Sequence, residues 1–329
     1  MEQSIRVSII IPTLNRASQL TTCIRSLNIL SFTEKEIIII DDGSTDETFA
    51  IVRELFPSLR YIRHIQTHGA SASRNEGARN ARGEYLWFLD SDSVVESSTC
   101  LELMIRIIEQ EACIGSIGGE YTCTDNGKKV LRKATVCSNG ETLTQSLEEN
   151  NAYLEECDYV ATCNCFMRKE LFVDIGGFDP VYRIFKEDCE LGYQIRKKKL
   201  RNIVDMRTAV LHNIIVETRK GSLHNLIKNR VRFVFKNFPI KQILLLPFSE
   251  VAYIVKGNYN AKLMHNNVMA TKHISPLVRR WIKGNTYKRY IGVLWVGVMY
   301  FWYLMCAYII NIVLLPATIV ARFQKSYLS

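Results

Sequence analysis

Residues 85–92 read YLWFLDSD, five apolar residues followed by two aspartates on either side of a serine. A short, continuous apolar run is typical of a strand that is buried on both faces of a parallel sheet. Residues 7–11 (VSIII) and 37–40 (IIII) have the same character. Helical patterns separate the three runs, and this alternation predicts an α/β fold with a doubly wound sheet.

Two helices are predicted between these strands from apolar residues at helical spacing. The first carries Leu20, Ile24 and Leu27. The second follows Ser44 and Glu47, which have the spacing of a capping box. This second helix is therefore expected to begin at the capping box and to carry Phe49, Val52 and Leu55.

Polar residues follow each predicted strand at the point where it ends. The first strand runs into 12–16 (PTLNR), the second into 41–44 (DDGS) and the third into 90–92 (DSD). In open α/β sheets, ligands bind beyond the carboxyl ends of the strands, so the three clusters are expected to form one site. Residues 11–16 contain no glycine, which disfavours an NAD-binding fold.

Asp90 and Asp92 are the sharpest local feature of the sequence. Residues i and i+2 of an extended chain point to the same side, so both carboxylates can hold one Mg²⁺ or Mn²⁺ ion against a diphosphate. Such an ion neutralises the charge that develops on a leaving diphosphate. A turn or a helix cap is the alternative, and the neighbouring polar clusters favour the metal site.

A second acidic pair, Glu187 and Asp188, stands at the start of a predicted helix. Asp188 shares one helical face with the apolar residues Leu191 and Ile195. An acid on such an inward face is unusual, so its carboxylate is expected to line a cleft. The helix N-terminus helps to keep such a group ionised, and a carboxylate is a suitable base for a hydroxyl group. The alternative is a carboxylate that only caps the helix.

Two basic side chains are further candidates. Arg74 lies among the small residues of 69–77 (GASASRNEG) and can pair with a phosphate or a carboxylate, whereas the alternative is a surface arginine. His212 follows the apolar residues 209–211 and is either a metal ligand or a structural histidine. Three cysteines lack the spacing of a zinc site and are expected to be buried thiols, namely Cys157, Cys163 and Cys165.

The composition excludes a disordered chain and disfavours a disulfide scaffold. Of the 329 residues, 47% are hydrophobic and 23% are charged, which is ordinary for a folded protein. The ten cysteines are scattered and the N-terminus has no apolar signal-peptide core, so a reducing cytosol with free thiols is expected. From residue 201 onward the chain has 19 Lys and Arg against 3 Asp and Glu, whereas the preceding residues are net acidic.

The end of the chain predicts contact with a membrane. Residues 291–321 contain no charged side chain and are long enough for a helix that spans a bilayer. Basic residues are more frequent before this segment than after it, which predicts that the preceding domain lies on the cytoplasmic face. Residues 223–246 have a basic amphipathic pattern, which favours a membrane-surface helix and a domain-packing helix about equally. Nucleic acid is not an expected partner, because the basic half has no recognised binding motif.

Together these segments resemble the family 2 glycosyltransferases, which have the GT-A nucleotide-sugar-binding fold. The resemblance implies inverting transfer from a nucleotide-diphosphate sugar, usually a UDP-sugar, with Mn²⁺ or Mg²⁺ as the cofactor. The matching segments follow the family's order over residues 1–220. They are VSIIIPTLNR (7–16), IIIIDDGSTDET (37–48), GASASRNEGARNARGEYLWFLDSDS (69–93), CNCFMRKELFVDIGGFD (163–179), KEDCELGYQIRKK (186–198) and His212.

The resemblance also implies where the donor nucleotide lies. Asp42 would bind the base, the backbone of 12–14 would surround the base and ribose, and Arg74 would contact the nucleotide. Residues 163–179 would border the acceptor site. The full set of implied nucleotide-sugar-binding residues is Pro12, Thr13, Leu14, Asn15, Arg16, Asp42, Arg74, Asp90 and Ser91.

The same resemblance implies a metal centre and a base. Asp92 would be the principal metal ligand, with Asp90 and His212 as further ligands. Asp188 would be the general base, and Glu187 would be its catalytic neighbour.

Two departures from the family pattern are visible. Ser93 stands where many members have another acid, which leaves the number of metal carboxylates open. Arg280 and Trp281 lack the preceding glutamine of processive synthases, and this favours transfer of one sugar over polymerisation.

The sequence therefore predicts a membrane-anchored glycosyltransferase with a mostly parallel central sheet. Its predicted parts are a GT-A domain (1–220), a basic amphipathic region (221–289), a transmembrane helix (290–321) and a short tail (322–329). The expected partners are the nucleotide-sugar, membrane lipids and a saccharide or lipid-linked acceptor at the cytoplasmic face. The alternatives are transfer to a polyprenyl phosphate and a catalytically silent scaffold subunit of an envelope-glycan assembly complex.

Overall fold

A computed structural model describes residues 5–123, 127–148, 152–212, 222–246, 302, 304–313 and 318. The chain divides into two compact units. The first is built mainly from Met1–Val136 and Thr142–Ile214, and the second from Cys137–Glu141 and Ile215–Gln324. The predicted domain boundaries at 220, 289 and 321 lie outside the described residues and stay predictions.

The strands of the first unit are numbered in chain order over its described residues. They are β1 (Val7–Thr13), β2 (Lys35–Asp41), β3 (Arg60–Arg63), β4 (Tyr85–Leu89), β5 (Ser93–Val94), β6 (Ile114–Gly118), β7 (Glu120–Cys123), β8 (Lys129–Val136), β9 (Thr142–Glu148), β10 (Glu155–Cys157), β11 (Asn164–Arg168), β12 (Arg201–Val204) and β13 (Val210–His212).

These strands form two sheets. The larger has the order β10-β12-β6-β11-β4-β1-β2-β3, and the smaller has the order β5-β13-β7-β8-β9. The three strands predicted from the sequence are confirmed as the parallel neighbours β4, β1 and β2. Their carboxyl ends therefore lie at one edge of the sheet.

The larger sheet is mixed. Four of its seven strand pairings are parallel, which agrees with the prediction of a mostly parallel sheet, and three are antiparallel. Strand β11 runs antiparallel to both of its neighbours, β4 and β6, and β10 runs antiparallel to β12. The chain leaves the larger sheet after β6, forms β7 to β9 in the smaller sheet, and returns in the opposite direction. A parallel pair of strands needs a crossover connection, usually a helix. The chain from β6 to β11 passes through the smaller sheet instead, so the two strands can pair antiparallel.

The helices of the first unit are α1 (Ala17–Ser26), α2 (Thr48–Leu55), α3 (Ala70–Asn80), α4 (Cys100–Gln110), α5 (Lys169–Asp174) and α6 (Glu187–Lys197). The predicted capping box is wrong, because α2 begins at Thr48 without a side-chain cap from Glu47. Asp46 instead accepts the N–H of Thr48 at 3.0 Å, and the Ser44 hydroxyl accepts the N–H of Asn15 at 2.9 Å.

Both faces of the central strands are buried, which explains their continuous apolar sequence. Ile9 and Trp87 belong to a core that includes residues of α1 and α4. Their neighbours Ile10 and Phe88 point to the opposite face and join a core with residues of α3, α5 and α6. Successive strand residues alternate between two apolar layers, so no polar residue is needed between them.

The second unit contains α7 (Ser222–Asn237). Ile227 and Val231 of α7 pack against Leu304 and Ala307, which lie on the helix at 304–313. The structure buries Arg232 and Lys236, two of the basic side chains of the amphipathic segment 223–246. These side chains of α7 therefore pack within the second unit, and contact of α7 with a membrane surface stays a prediction.

The predicted helix over 223–246 is interrupted. Helix α7 ends at Asn237, and a further helix covers 240–246. Pro239 lies at the break, where it supplies no N–H, and its carbonyl accepts the N–H groups of Gln242 and Ile243.

The described residues contain no helix whose length and hydropathy would carry it across a bilayer. The predicted span at 290–321 lies largely outside those residues, which cover only 302, 304–313 and 318 of it.

Candidate functional site

The candidate site lies at the carboxyl ends of β1, β2 and β4. Thr13 at the end of β1 pairs with Asp41 at the end of β2. Arg16, beyond β1, reaches across to the loop that follows β4, where its Nη1 lies 2.6 Å from Oδ2 of Asp92. The polar clusters that follow these three strands therefore lie at one edge.

The remaining predicted nucleotide-binding residues lie on the same loops. Pro12 and Thr13 end β1 and are buried, and Ser91 is buried between the two aspartates of the DSD cluster. The side chain of Leu14 is 39% exposed beside these polar groups. Their contacts with a nucleotide stay predictions.

Asn15 joins the loop after β1 to the loop after β2. Its φ is +53°, a left-handed conformation that asparagine adopts more readily than most residues. Its side-chain oxygen accepts the N–H groups of Thr45 at 2.7 Å and Asp46 at 3.2 Å. Asn15 therefore fixes the two loops against each other.

The Asp42 carboxylate is hydrogen-bonded to the segment that precedes α3. One oxygen accepts the N–H of His68 and lies 2.9 Å from Nδ1 of His64, and the other accepts the N–H of Gly69 at 2.8 Å. The other ring nitrogen of His64 lies 2.8 Å from Glu76. Burial alone would lower the pKa of His64, but the two carboxylates raise it. Asp42 thus orders the start of α3, and its contact with a base stays a prediction.

Gly69 occupies a position before α3 that other residues fit poorly. Its φ is +98°, and a Cβ there would lie 2.8 Å from Cβ of Arg183. Gly69→Ala is expected to lower the free energy of unfolding by about 2–3 kcal/mol, because it adds backbone strain and a steric clash. Urea unfolding measures this loss.

Gly127→Ala is the matched control for this substitution. Gly127 also has a positive φ, +75°, but an added Cβ would meet no described atom within 4 Å. Its expected loss is about 1 kcal/mol, from the backbone conformation alone. Equal losses for the two variants would contradict the clash at Gly69.

Arg74 on α3 connects the loop after β4 to the start of α6. Its guanidinium donates to Asp90 at 2.6 Å and to Glu187 at 3.2 Å, and these three residues form the ion triad. The side chain is only 3% exposed, so the alternative of a surface arginine is wrong. Burial alone would lower the pKa of Arg74, but the two carboxylates raise it and keep the group charged.

Asp188 lies beside the ion triad in the first turn of α6. Its carboxylate accepts the N–H of Cys189 at 2.7 Å. Burial and then the neighbouring Glu187 charge raise the pKa of Asp188 to about 7. Burial likewise raises the pKa of Glu187, although Arg74 opposes this shift. A carboxylate with a pKa near neutrality is suited to accept a proton from a hydroxyl group.

The turn before α6 is strained. Phe185 and Lys186 both have positive φ values, +68° and +72°. Each such residue costs roughly 1–2 kcal/mol relative to an ordinary conformation. The Lys186 ammonium donates to the Thr142 hydroxyl at 2.8 Å, which helps to hold the turn. Strain of this kind is concentrated at functional sites, and here it lies directly before the helix that carries Glu187 and Asp188.

Asp92, Asp90 and His212 form the candidate metal centre. One ligand atom from each lies within 4.8 Å of the others. The register of β13 against β5 pairs His212 with Ser93, which places the imidazole next to Asp92. Its Nε2 lies 3.4 Å from Oδ1 of Asp92. Burial alone would raise the pKa of Asp92, but His212 and Arg16 lower it.

Several buried polar atoms of this region have no hydrogen-bond partner among the described residues. They are Thr13 Oγ1, Arg74 Nε, Asp92 Oδ1, Glu187 Oε2 and His212 Nε2. Buried polar groups are normally bonded, so these atoms are open to a polar ligand or to ordered water. Asp92 Oδ1 and His212 Nε2 face each other, and carboxylate oxygens with one imidazole form a donor set for Mn²⁺. The residues present fit a divalent cation.

Sequence reasoning missed His64 and Glu120. His64 bridges Asp42 and Glu76, and Glu120 contacts Nδ1 of His212. Glu120 follows two glycines at the end of the buried strand β6. The signal of an acid after a strand, which identified Asp90, would also have identified Glu120. The expectation of buried, free thiols is confirmed for Cys157, Cys163 and Cys165.

A protein-family model agrees with this arrangement. The model described as Glycosyl transferase family 2 matches residues 8–176, which is more than half of the chain. The matched segment includes β1, β2 and β4 with their polar loops and ends before α6.

Two curated relatives are glycosyltransferases. The uncharacterized glycosyltransferase YibD of Escherichia coli is 33% identical over 131 residues, which are 39% of this chain and 38% of the relative. The GalNAc(5)-diNAcBac-PP-undecaprenol beta-1,3-glucosyltransferase of Campylobacter jejuni is 27% identical over 206 residues, which are 56% of this chain and 66% of the relative. The chain spans less than two thirds of the length of either relative.

A solved structure shares the fold. The mannosyltransferase from Pyrobaculum calidifontis, in complex with GDP-Man and Mn²⁺, has a TM-score of 0.52 and 17% sequence identity. The likeness covers 94% of this chain and 88% of that one. At this identity it shows the fold alone, which is the GT-A fold that the sequence predicted.

Proposed function

Because the chain belongs to glycosyl transferase family 2, we propose that it transfers one sugar, with inversion, from a nucleotide-diphosphate sugar to a hydroxyl group. The observation that carries this proposal is the ion triad. Arg74 bonds to Asp90, a member of the candidate metal centre, and to Glu187, the neighbour of Asp188. A cation site for a diphosphate and a base for an acceptor are thereby brought to one end of the sheet.

The donor diphosphate is proposed to lie against Asp92, Asp90 and His212. These residues would hold Mn²⁺ or Mg²⁺, which when bound neutralises charge on the leaving diphosphate. Arg16 already occupies one oxygen of Asp92 and is 26% exposed, so its guanidinium supplies a second positive charge nearby. UDP-sugars are the proposed donor class, following the family resemblance.

Asp188 is proposed to act on the acceptor. Its carboxylate would remove the proton from the acceptor hydroxyl as that oxygen bonds to the anomeric carbon. The bond from the anomeric carbon to the diphosphate breaks in the same step, on the opposite face, which inverts the configuration. Burial and then the Glu187 charge raise the pKa of Asp188, so its carboxylate is basic enough to accept the proton near neutral pH.

The proposed acceptor is a membrane-associated saccharide or glycolipid at the cytoplasmic face of a membrane. The charge-free segment 291–321 supports this proposal. In the second unit, the exposed side chains Trp302, Met305, Ile309 and Ile312 recur at helical spacing, which gives one apolar stripe. The Campylobacter relative is named for an undecaprenol-linked substrate, which places this acceptor class first among those to test.

The proposal is tested by incubating the purified full chain with Mn²⁺ and a panel of UDP- and GDP-sugars. Donor hydrolysis or transfer to an undecaprenol-linked saccharide is the expected result. Nucleotide-sugar binding without turnover on any donor would instead favour the scaffold alternative. Transfer to polyprenyl phosphate that survives loss of Asp188 would favour the second alternative, because an ionised phosphate needs no base.

Asp92→Asn is expected to lower kcat about 10²–10³-fold, because it removes a charged ligand from the centre that stabilises the leaving group. Mn²⁺ affinity is expected to fall in parallel. Initial rates at a series of Mn²⁺ concentrations measure both effects. Asp174→Asn is the control, since Asp174 pairs with Lys198 at the surface and is 56% exposed. Parent-like rates for Asp92→Asn would contradict the metal centre.

A further inference from the structure

His212 lies between two carboxylates that come from different strands. Strand β13 pairs with β5 on one side and with β7 on the other. The first pairing sets His212 opposite Ser93, next to Asp92, and the second pairs Val210 with Glu120. The sheet register therefore directs one edge of the imidazole to Asp92 and the other to Glu120.

The two ring nitrogens make different contacts. Nδ1 is hydrogen-bonded to Oε2 of Glu120, whereas Nε2 lies 3.4 Å from Oδ1 of Asp92. Nε2 and this Asp92 oxygen both lack a hydrogen-bond partner among the described residues. The nitrogen that faces Glu120 is bonded, and the nitrogen that faces the candidate metal centre is available to a ligand.

The Glu120 carboxylate is itself fixed. Its Oε2 also accepts from the Cys163 thiol at 3.4 Å, and its Oε1 accepts from Arg132 at 3.3 Å. The side chain is only 12% exposed, and that of His212 is 6% exposed. Held on both oxygens, Glu120 has little freedom to move toward the metal centre or away from the imidazole.

A carboxylate that accepts a hydrogen bond from one nitrogen of a histidine places the proton there and leaves a lone pair on the other nitrogen. We infer that Glu120 is a positioning residue for the metal centre, which holds His212 with its Nε2 lone pair directed at the ion beside Asp92. This inference rests on the proposed function. It adds to that function a residue that does not contact the ion.

The same side chains suggest a competing arrangement. Ligand atoms of Glu120, Cys163 and His212 also lie within 4.8 Å of one another. Glu120 and His212 bond directly to each other, however, so neither of the two atoms is directed at a common ion. The Mn²⁺-binding test below distinguishes a direct metal contact by Glu120 from a positioning role.

The test measures Mn²⁺ binding to the full chain without donor, by the loss of the free-ion signal in electron paramagnetic resonance. Glu120→Gln keeps an acceptor oxygen and the side-chain shape, and is expected to weaken Mn²⁺ binding about 10-fold. Glu120→Ala is expected to weaken it up to about 100-fold. Glu148→Gln is the control, because Glu148 is 75% exposed and pairs only loosely with Lys128, and it is expected to bind Mn²⁺ as the parent does.

Electron spin-echo modulation from ¹⁴N identifies the histidine on the bound Mn²⁺. The parent is expected to show this modulation and His212→Ala to lose it. Glu120→Ala is expected to reduce its depth, because the imidazole is no longer held toward the ion. Full modulation with weakened affinity would make Glu120 a ligand and overturn the positioning inference.

The role of Glu120 and the metal-dependent function can fail separately. If the parent binds Mn²⁺ and Asp92→Asn does not, while both Glu120 variants bind like the parent, only the inference about Glu120 is overturned. If the parent itself binds no Mn²⁺, the metal-dependent function fails and the inference fails with it. Circular dichroism of each variant separates loss of the site from loss of the fold.

Discussion

Asp188→Asn is expected to reduce kcat for sugar transfer by about 10²–10⁴-fold, the range that a general base contributes. Asparagine has nearly the shape of aspartate but cannot accept the proton of the acceptor hydroxyl. Nucleotide release in the presence of donor, acceptor and Mn²⁺ measures the rate. Asp174→Asn, a change of the same type at the surface, is expected to keep the parent rate. A parent-like rate for Asp188→Asn would contradict the assignment of the base.

The pH dependence gives an independent signature of the same residue. The pKa of Asp188 is raised to about 7, and a base acts only when it is ionised. The parent kcat/KM is therefore expected to rise with pH and to level off above about pH 7. Glu187→Gln removes the neighbouring negative charge and is expected to move this rise to lower pH. A flat profile below pH 7 would contradict a base with a raised pKa.

The raised pKa of Asp188 also affects the stability of the fold. The native state holds the Asp188 proton more tightly than the unfolded chain does, so the parent loses stability as pH rises from about 4, the usual aspartate pKa, to about 7. Asp188→Asn does not titrate and avoids this loss. At pH 8 the inactive variant is expected to be more stable than the parent by on the order of 2 kcal/mol, and the difference is expected to vanish near pH 4. Urea unfolding at both pH values measures it.

The sequence predicted the part of the fold that depends on local pattern. The strands 7–11, 37–40 and 85–89 were visible because both faces of each are buried, which requires continuous apolar residues. The polar loops after these strands were expected at one edge because parallel neighbours share that edge. The structure places Arg16 against Asp92 as this reasoning requires.

The missed features depend on contacts between distant segments. The antiparallel insertion of β11 is set by the route of the chain through the smaller sheet, which leaves no periodic signal in residues 164–168. The partners of His212 lie 92 and 120 residues before it in the sequence, at Glu120 and Asp92. The capping-box prediction failed because Asn15, from another loop, bonds to Ser44. Such tertiary contacts override local preference.

Arg74→Met is expected to destabilise the fold by about 3–5 kcal/mol, the range for removing one partner of a buried ion pair. Methionine fills a similar volume, but Glu187, whose side chain is 9% exposed, would be left without its opposite charge. Arg201→Met is the matched control. Arg201 also contacts two carboxylates, Glu111 at 3.4 Å and Glu156 at 3.2 Å, but its side chain is 38% exposed. Surface pairs contribute about 0–1 kcal/mol, so this control is expected to lose little stability.

A double variant tests whether the unpaired charge causes the loss. Glu187→Gln in the Arg74→Met background removes the buried negative charge and is expected to recover part of the lost stability. Urea unfolding at pH 8, where carboxylates are ionised, measures all four proteins of the cycle. Activity is not expected to recover, because Arg74 also holds Asp90, a member of the candidate metal centre. Additive losses across the cycle would contradict a direct charge interaction between Arg74 and Glu187, and with it the physical link between the metal centre and the base.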